Sequence, residues 1–232
     1  MTIAIMQPYF LPYIGYFQLM KAVDKFVVYD DVNFINRGWI NRNNMLVGGQ
    51  AYLFSIPLKD ASQNKLIREV SLAGDTQWRK KLLKTIQQSY LKAPCFAGVF
   101  PVVEGILNYE TESISELAVQ SLVQVNGYLE IDTQIVPTSA VYNNSDLKAQ
   151  DRILDICKQE KATRYINPVG GMELYNKGRF EQEGMELYFM KSSPVHYPQF
   201  KNAFVPWLSI LDVLMFNDKS TINELLTAYE LL

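Results

Sequence analysis

The sequence is poor in cysteine, histidine and long apolar runs, and these absences exclude several classes of protein. Its two cysteines, Cys95 and Cys157, show no metal-ligand spacing, which favours reduced thiols in a cytoplasmic protein, with a disulfide as the alternative. No apolar run approaches the roughly 20 residues of a membrane span, and the first residues lack the basic and apolar regions of a signal peptide. The net charge of -2 gives no basic field for nucleic acid. These features predict a soluble cytoplasmic protein that acts on a small molecule and has no cluster of metal ligands.

Short apolar strands alternate with helical segments at both ends of the chain. Residues 3–6 and 25–30 have the apolar character of buried strands, and apolar residues recur at helical spacing between them. From residue 133 onward the predicted order is strand, helix, strand, helix, strand, helix. This alternation is typical of a Rossmann-like α/β fold with a mostly parallel sheet. We therefore predict a single α/β domain over residues 1–232.

The middle of the chain predicts other elements. Two apolar runs joined by Gly48 and Gly49 indicate a β-hairpin, because both glycines tolerate positive φ. Helical stripes then recur over about residues 75–128. We interpret that region as a mainly helical insertion into the α/β domain.

The end of the chain is predicted to form two closing helices. They cover residues 207–216 and 223–231, where apolar residues again follow helical spacing. In the first of them, Ser209 and Asp212 have the spacing of a capping box, which gives Asp212 a structural interpretation.

The loop after the first predicted strand is a candidate binding place, because ligands of open parallel sheets bind beyond the carboxyl ends of the strands. The loop runs into a helix, where free backbone N–H groups and the helix dipole favour an anion. Gly15 allows a close backbone approach. The tyrosines of this loop either bind a ligand or pack in the core. The predicted binding residues here are Gln7, Tyr9, Tyr13, Gly15 and Tyr16.

The segment after the second predicted strand carries the densest set of polar side chains. Asp30 and Asp31 are candidates for a catalytic base or a metal site, with a capped turn as the alternative. Two arginines offer forked guanidiniums that suit phosphate or carboxylate, and a tryptophan offers a ring that stacks on a base or a sugar. Asparagine amides both donate and accept, as polyhydroxylated ligands require. The predicted binding residues here are Asn36, Arg37, Trp39, Asn41, Arg42 and Asn43.

The two remaining strand ends carry weaker signals. Gly170 and Gly171 form a glycine turn that lacks the spacing of a nucleotide-binding loop, so a plain turn is the alternative to anion binding. His196 is the sole histidine, and imidazole titrates near neutral pH, so it is a third candidate for the catalytic base, with packing as the alternative. Tyr197 and Gln199 are predicted binding residues beside it.

Several blocks of the sequence resemble the WbqC-like family. The stretch IAIMQPYFLPYIGYFQLMKAVDKFVVYDDVNFINRGWINRN resembles its N-terminal signature, and RYINPVGGMELY, HYPQF and FVPWLSILDVLMFN are similar to its later blocks. The family is associated with bacterial O-antigen and capsule gene clusters, and its members are often described as transferases, including glycine transferases. The resemblance implies acyl or aminoacyl transfer to an amino sugar in surface-polysaccharide biosynthesis. The implied cosubstrates are a nucleotide-linked sugar, ATP, or an acyl or aminoacyl donor.

The order of elements is also similar to that of the HUP class, the nucleotidyltransferases of HIGH type and pantothenate synthetase. In those proteins an HxGH motif opens the first helix and contacts the phosphates of ATP. The matching place here reads Tyr13-Ile14-Gly15-Tyr16, so the glycine is kept and both histidines are replaced. The loss of these cationic donors affects activity more than fold. The resemblance therefore implies a similar fold, and an ATP-dependent adenylate-forming ligase or nucleotidyltransferase is the alternative function. A non-catalytic binding module of a polysaccharide assembly complex is the second alternative.

Overall fold

The chain folds around one mostly parallel sheet, and the computed structural model describes residues 1–201 and 203–232. In chain order the strands are β1 (Thr2–Met6), β2 (Lys25–Val28), β3 (Arg42–Val47), β4 (Gln50–Ser55), β5 (Leu58–Lys59), β6 (Ser71–Leu72), β7 (Gln134–Val136), β8 (Arg164–Pro168), β9 (Glu186–Ser192) and β10 (Tyr229–Leu231). The α-helices are α1 (Ile14–Lys21), α2 (Gln77–Tyr90), α3 (Phe96–Leu107), α4 (Ile114–Leu129), α5 (Ala149–Gln159), α6 (Lys177–Gln182), α7 (Ile210–Phe216) and α8 (Lys219–Leu225). Short 3₁₀ helices cover Ile67–Glu69, Ser139–Tyr142 and Val169–Leu174.

The central sheet has the strand order β10-β9-β8-β1-β2-β7. Its strands are parallel to their neighbours except β10, which runs antiparallel to β9. Numbered along the chain, the parallel strands lie in the Rossmann order 3-2-1-4-5, so the chain reverses its direction across the sheet between β1 and β8. The prediction of a Rossmann-like α/β fold is therefore confirmed.

Alternate residues of the strands contribute to two separate cores, one on each face of the sheet. Ile3 and Ile5 of β1 belong to the core that includes α5 and Phe180 of α6. Ala4 belongs to the larger core, which includes α1, α7 and the helices α2 to α4. The centre of β1 is buried throughout, as expected for a parallel strand that helices cover on both faces.

The middle of the chain forms the predicted hairpin and helices. β3 pairs with β4 through the turn at Gly48 and Gly49, whose φ values are 59° and 81°. The helices α2, α3 and α4 then separate β6 from β7 in the chain, where the helical insertion was expected. The interpretation of the chain as one domain stays a prediction. None of the helices within the described residues is both long and apolar enough to cross a bilayer.

The predicted closing helices were wrong in their bounds. The second one ends at Leu225 as α8, and Tyr229–Leu231 instead pair with β9 as the antiparallel edge strand β10. Gln18 favours this path, because its side-chain amide donates to the carbonyl oxygens of Leu225 and Ala228 at 2.9 and 3.1 Å, where the helix ends. The first helix, α7, begins at Ile210, because Trp207 lies before it with a left-handed φ of 61°. Tertiary contacts thus overrode the local periodicity.

Candidate functional site

An aromatic cleft of about 260 Å³ opens beyond the carboxyl end of β1. The loop after β1 supplies one wall, and this loop lies beside the point where the chain reverses across the sheet. Trp39 and Trp207 keep 46% and 74% of their surface exposed, although tryptophan is usually well buried. The residues that line and define this aromatic cleft are Tyr9, Pro12, Tyr13, Trp39, Asn43 and Trp207.

The floor of the aromatic cleft is tied together at Leu11. Its carbonyl oxygen accepts hydrogen bonds from the side-chain amide of Asn43 at 2.8 Å and from the hydroxyl of Ser209 at 2.6 Å. Its N–H donates to the hydroxyl of Ser121 at 3.2 Å. Leu11 has a φ of 43°, a left-handed conformation that is strained for a leucine. The three hydrogen bonds hold Leu11 in this conformation, so the segments that carry Asn43, Ser121 and Ser209 meet at a defined geometry.

The Trp39 side of the cleft is braced by Arg42. Its Nε donates to the carbonyl oxygen of Gly38 at 2.8 Å, and a terminal nitrogen donates to the carbonyl oxygen of Arg37. Its guanidinium carbon lies 5.6 Å from the centre of the Trp39 ring. Arg37 is exposed and has a φ of 58°. The structure therefore places two of the donors of Arg42 on the backbone beneath Trp39, while the side chain of Arg37 is exposed to solvent.

The predicted asparagines of this segment have different surroundings. The amide of Asn41 donates to the carbonyl oxygen of Ile56 at 2.8 Å, so it links the Trp39 segment to the end of the hairpin. Asn43 is buried and lines the aromatic cleft. Asn36 is exposed. Of the three, Asn43 is the one in contact with the aromatic cleft.

The Trp207 side of the cleft is fixed by a buried carboxylate, Asp212. It accepts hydrogen bonds from the hydroxyl groups of Tyr90 and Tyr197, each at 2.8 Å, and from the amide of Gln199 at 2.6 Å. Gln199 also accepts from the N–H of Val205 at 2.7 Å and donates to its carbonyl oxygen at 3.1 Å. Tyr197 and Gln199, which were predicted to bind substrate, thus connect Asp212 to the segment that leads to Trp207.

The capping-box interpretation of Asp212 was wrong. Ser209 does cap α7, because its hydroxyl accepts the N–H of Leu211 at 3.2 Å. The carboxylate of Asp212 instead points to the tyrosines and the glutamine, and burial raises its pKa while those three donors lower it. In a capping box the carboxylate would accept the N–H of Ser209, but that N–H donates to the carbonyl oxygen of Asn44 at 2.8 Å.

The tyrosines of the loop after β1 divide into two groups. Burial raises the pKa of both Tyr9 and Tyr13, so these phenols are neutral at physiological pH and can donate a hydrogen bond to a ligand. Tyr16 is fully buried, and its hydroxyl donates to the carbonyl oxygen of Gln7 at 2.8 Å. Tyr16 and Gln7 therefore support the loop from below.

Gly15 is needed for packing at the start of α1. A β-carbon at this position would lie 2.7 Å from the hydroxyl of Ser192 and would also meet the ring of Tyr13. A small cavity of about 70 Å³ lies here and adjoins the aromatic cleft, with which it shares Tyr13 and Trp207. Gly15 therefore lets β9 and α1 approach closely enough to enclose that cavity.

Asp30 and Asp31 lie in a separate polar cluster between β2 and β7. Asp30 is buried and accepts hydrogen bonds from the hydroxyl of Ser115 at 2.9 Å and of Thr138 at 2.7 Å. Asp31 is also buried; it accepts a hydrogen bond from Ser139 and forms an ion pair with Arg152. Protein donors therefore surround both carboxylates.

His196 follows a different strand of the sheet from the two aspartates. The strand it follows, β9, lies three strand spacings from β2, and neighbouring strands are about 4.8 Å apart. Its ring is exposed and lies 4.4 Å, centre to centre, from that of Phe204, which lines the small cavity beside the aromatic cleft. The structure therefore places His196 near the aromatic cleft and away from Asp30 and Asp31.

The predicted glycine turn after β8 is a 3₁₀ helix. A β-carbon on Gly171 would meet the side-chain amide of Asn167, so this glycine makes room for a buried neighbour. Gly170 is exposed, and a β-carbon there would meet nothing within 4 Å. Within residues 1–201 and 203–232, no cluster of three or more metal-ligating side chains is present.

The structure thus unites part of the predicted site and adds residues that the sequence patterns missed. Tyr9, Tyr13, Trp39 and Asn43 come together in one cleft. Trp207 completes that cleft, but its position within an apolar, helix-like run hid it. Pro206 directly before this tryptophan was the available signal, because proline often marks a loop and the segment FVPW lies outside helices and strands.

Comparisons with known proteins agree with the resemblance of the sequence blocks. The sequence model of the WbqC-like protein family matches residues 7–224. The uncharacterized protein Rv1507c of Mycobacterium tuberculosis (strain ATCC 25618 / H37Rv) is 29% identical over 218 residues, which cover 93% of each chain. No solved structure matches this chain.

Proposed function

The chain belongs to the WbqC-like protein family, and on that premise we propose that it is a cytoplasmic transferase of bacterial surface-polysaccharide biosynthesis. In this proposal an amino sugar, carried on a nucleotide or a lipid, binds in the aromatic cleft. The enzyme transfers an acyl or aminoacyl group, of glycyl type, to the sugar amine. The reaction forms an N–C bond to the acyl carbon, breaks the bond from that carbon to its carrier, and releases a proton from the amine.

The aromatic cleft is the observation that carries this proposal. The C–H groups of a pyranose ring pack favourably on the electron-rich faces of aromatic rings, and Trp39 and Trp207 expose such faces in one cleft. Tyr9, Tyr13 and Asn43 add hydrogen-bonding groups around those faces. Apolar walls with a few polar groups are the usual composition of a small-molecule site.

The catalytic base in this proposal is His196. Its ring contacts Phe204, which lines the cavity adjoining the aromatic cleft, and neutral imidazole accepts a proton near physiological pH. Asp30 and Asp31 instead organise the ends of β2 and β7, because protein donors surround their carboxylates. Arg37, which is exposed near Trp39, contacts the phosphate or carboxylate of the bound ligand.

Tryptophan fluorescence tests the site of sugar binding, because the three tryptophans separate into two groups. Trp39 and Trp207 line the aromatic cleft, whereas Trp78 lies on α2. Titration of Trp78→Phe with UDP-glucosamine should give a saturable change in emission, since both remaining reporters line the cleft. The matched variant Trp39→Phe/Trp207→Phe should give none, since only Trp78 still reports.

Two comparisons control this measurement. UDP alone should change the emission of Trp78→Phe less than UDP-glucosamine does, because it lacks the sugar. An equal response from Trp39→Phe/Trp207→Phe would place binding outside the aromatic cleft. The transfer step is tested separately by mass spectrometry of the sugar product, with His196→Asn expected to lose turnover while keeping the fluorescence change.

Two other functions have support from particular observations. The strand order 3-2-1-4-5 and the glycine at the start of α1 favour a nucleotidyltransferase or adenylate-forming ligase. A thermal shift with ATP and Mg²⁺ that exceeds the shift with UDP-glucosamine would select this function. The separation of His196 from Asp30 and Asp31 favours a non-catalytic sugar-binding module. Saturable sugar binding with no turnover of any acyl donor would select that one.

A further inference from the structure

A second cleft opens beside the carboxyl ends of β2 and β7. It has a volume of about 510 Å³ and shares no lining residue with the aromatic cleft. Its walls come from the residues after β2, from the segment before β6, and from the loop that leads into α5. Three cations against one carboxylate give its lining a net charge of two positive. The charged residues that define this cationic cleft are Asp31, Arg68, Lys148 and Arg152.

Arg152 is the buried cation of this cleft, with only 4% of its surface exposed. Its Nε donates to the side-chain oxygen of Asn144 at 3.0 Å, and its terminal nitrogens donate to the carbonyl oxygen and the carboxylate of Asp31. A guanidinium has five N–H groups, and the hydrogen bonds to Asn144 and Asp31 engage three of them. Because its neighbours already fix this side chain, it can bind an anion with little further loss of entropy.

Arg68 and Lys148 are the exposed cations of the cleft. Neither forms an ion pair within the part of the chain that the structure describes. The N–H of Arg68 donates to the carbonyl oxygen of Asp30 at 3.0 Å, which fixes its backbone beside the end of β2. Lys148 is the N-cap residue of α5, so the positive end of the helix dipole lies at this wall of the cleft. The acidic residue of the first turn, Asp151, pairs with Arg179 at 3.6 Å.

We propose that the cationic cleft binds the phosphate or diphosphate group of a small-molecule ligand. A phosphate monoester carries a charge near -2 and several strong acceptor oxygens, which match the net charge of the lining and the exposed cations Arg68 and Lys148. The ring of Tyr29, over which Arg152 lies at 5.0 Å, provides a flat wall beside the phosphate. This inference does not depend on sugar binding in the aromatic cleft.

Isothermal titration calorimetry with inorganic phosphate, pyrophosphate and UDP tests the proposal. We expect pyrophosphate to bind, and Arg68→Ala and Lys148→Ala each to weaken its binding about tenfold, because each removes a charge-assisted contact. Tighter binding of UDP than of pyrophosphate would identify the ligand as a nucleoside diphosphate, and equal binding would identify another phosphate ester. Either outcome supports the phosphate site.

The matched control is Lys80→Ala/Lys84→Ala, which removes two exposed lysines from α2, outside the cationic cleft. It should bind pyrophosphate as the wild-type protein does, whereas Arg68→Ala/Lys148→Ala should lose binding. Unchanged binding by the cleft variant, equal weakening in both double variants, or no binding of any probe to the wild-type protein would overturn the proposal. Pyrophosphate contains no sugar, so this result is independent of the fluorescence titration.

Discussion

Replacement of Arg152 by methionine should cost this protein about 4 to 5 kcal/mol of folding free energy. The Arg152 and Asp31 side chains are only 5% and 8% exposed, and breaking a buried ion pair typically costs about 3 to 5 kcal/mol because one charge stays buried without a partner. Arg152 also bonds to Asn144 and lies over Tyr29, which places the cost in the upper part of that range.

A double-mutant cycle isolates the pair itself. Asp31→Asn should also destabilise the protein, because it leaves the guanidinium of Arg152 without its carboxylate. Asp31→Asn/Arg152→Met should be less destabilised than the sum of the single variants by about 2 to 3 kcal/mol, because no uncompensated charge remains buried. A structural role of Asp31 predicts this coupling between the two substitutions. A purely catalytic role predicts a loss of turnover with no coupling in the free energy of unfolding.

Urea unfolding followed by circular dichroism gives the free energies by linear extrapolation. In a thermal scan the loss for Arg152→Met corresponds to a fall of roughly 8 to 20 °C for a chain of this length. Arg164→Met is the matched control, since Arg164 also pairs with a carboxylate and lies over a tyrosine, but on the surface; its effect should be much smaller. A loss below about 1 kcal/mol for Arg152→Met, or strict additivity of the cycle, would refute the reasoning.

Two further predictions concern the residues around the aromatic cleft. Burial raises the pKa of Asp212, so the stability that its proton contributes is complete below the ordinary aspartate pKa and is lost as the pH rises through the raised value of the folded state. Asp212→Asn should remove this loss; if urea unfolding from acid to neutral pH gave the variant the same pH dependence as the wild-type protein, the inference would be incorrect. Gly15→Ala should lower the free energy of unfolding by about 1 to 3 kcal/mol, because the added methyl group overpacks against Ser192 and Tyr13. The control Gly127→Ala in α4, where a β-carbon meets nothing within 4 Å, should raise it by about 0.5 to 1 kcal/mol, and equal effects of the two variants in urea unfolding would contradict the steric account.

The fold was predictable because its signals are local. β1 and β2 are buried apolar runs, and the glycine pair between β3 and β4 dictates a tight turn. The end of the chain was not predictable from periodicity, because Tyr229–Leu231 adopt a strand only through pairing with β9. The prediction of a helix over residues 207–209 was wrong for a similar reason, since hydrogen bonds from Ser209 to Asn44 and Leu11 hold that segment outside the helix.

The candidate site was predictable in its location more than in its members. The rule that ligands bind beyond strand ends selected the loop that carries Tyr9 and Tyr13, and the structure places both tyrosines in one cleft with Trp39. It could not show that Arg42 donates to its own loop, because a guanidinium that braces a turn and one that binds a ligand have the same sequence signature. It also missed Arg152, which lies within α5 and not at a strand end, and which reaches Asp31 only in the folded protein.

The node at Leu11 has a consequence for how the protein acquires its native state. Leu11 is 32 positions from Asn43 and 198 from Ser209, so the two hydrogen bonds on its carbonyl close loops of very different length. Contacts of such long sequence separation slow folding, because loop-closure entropy is lost before they form. The aromatic cleft should therefore assemble in the last kinetic phase, after the hairpin and the helices. A nascent chain still lacking Ser209 would expose its tyrosines and Trp39 until synthesis reaches that residue.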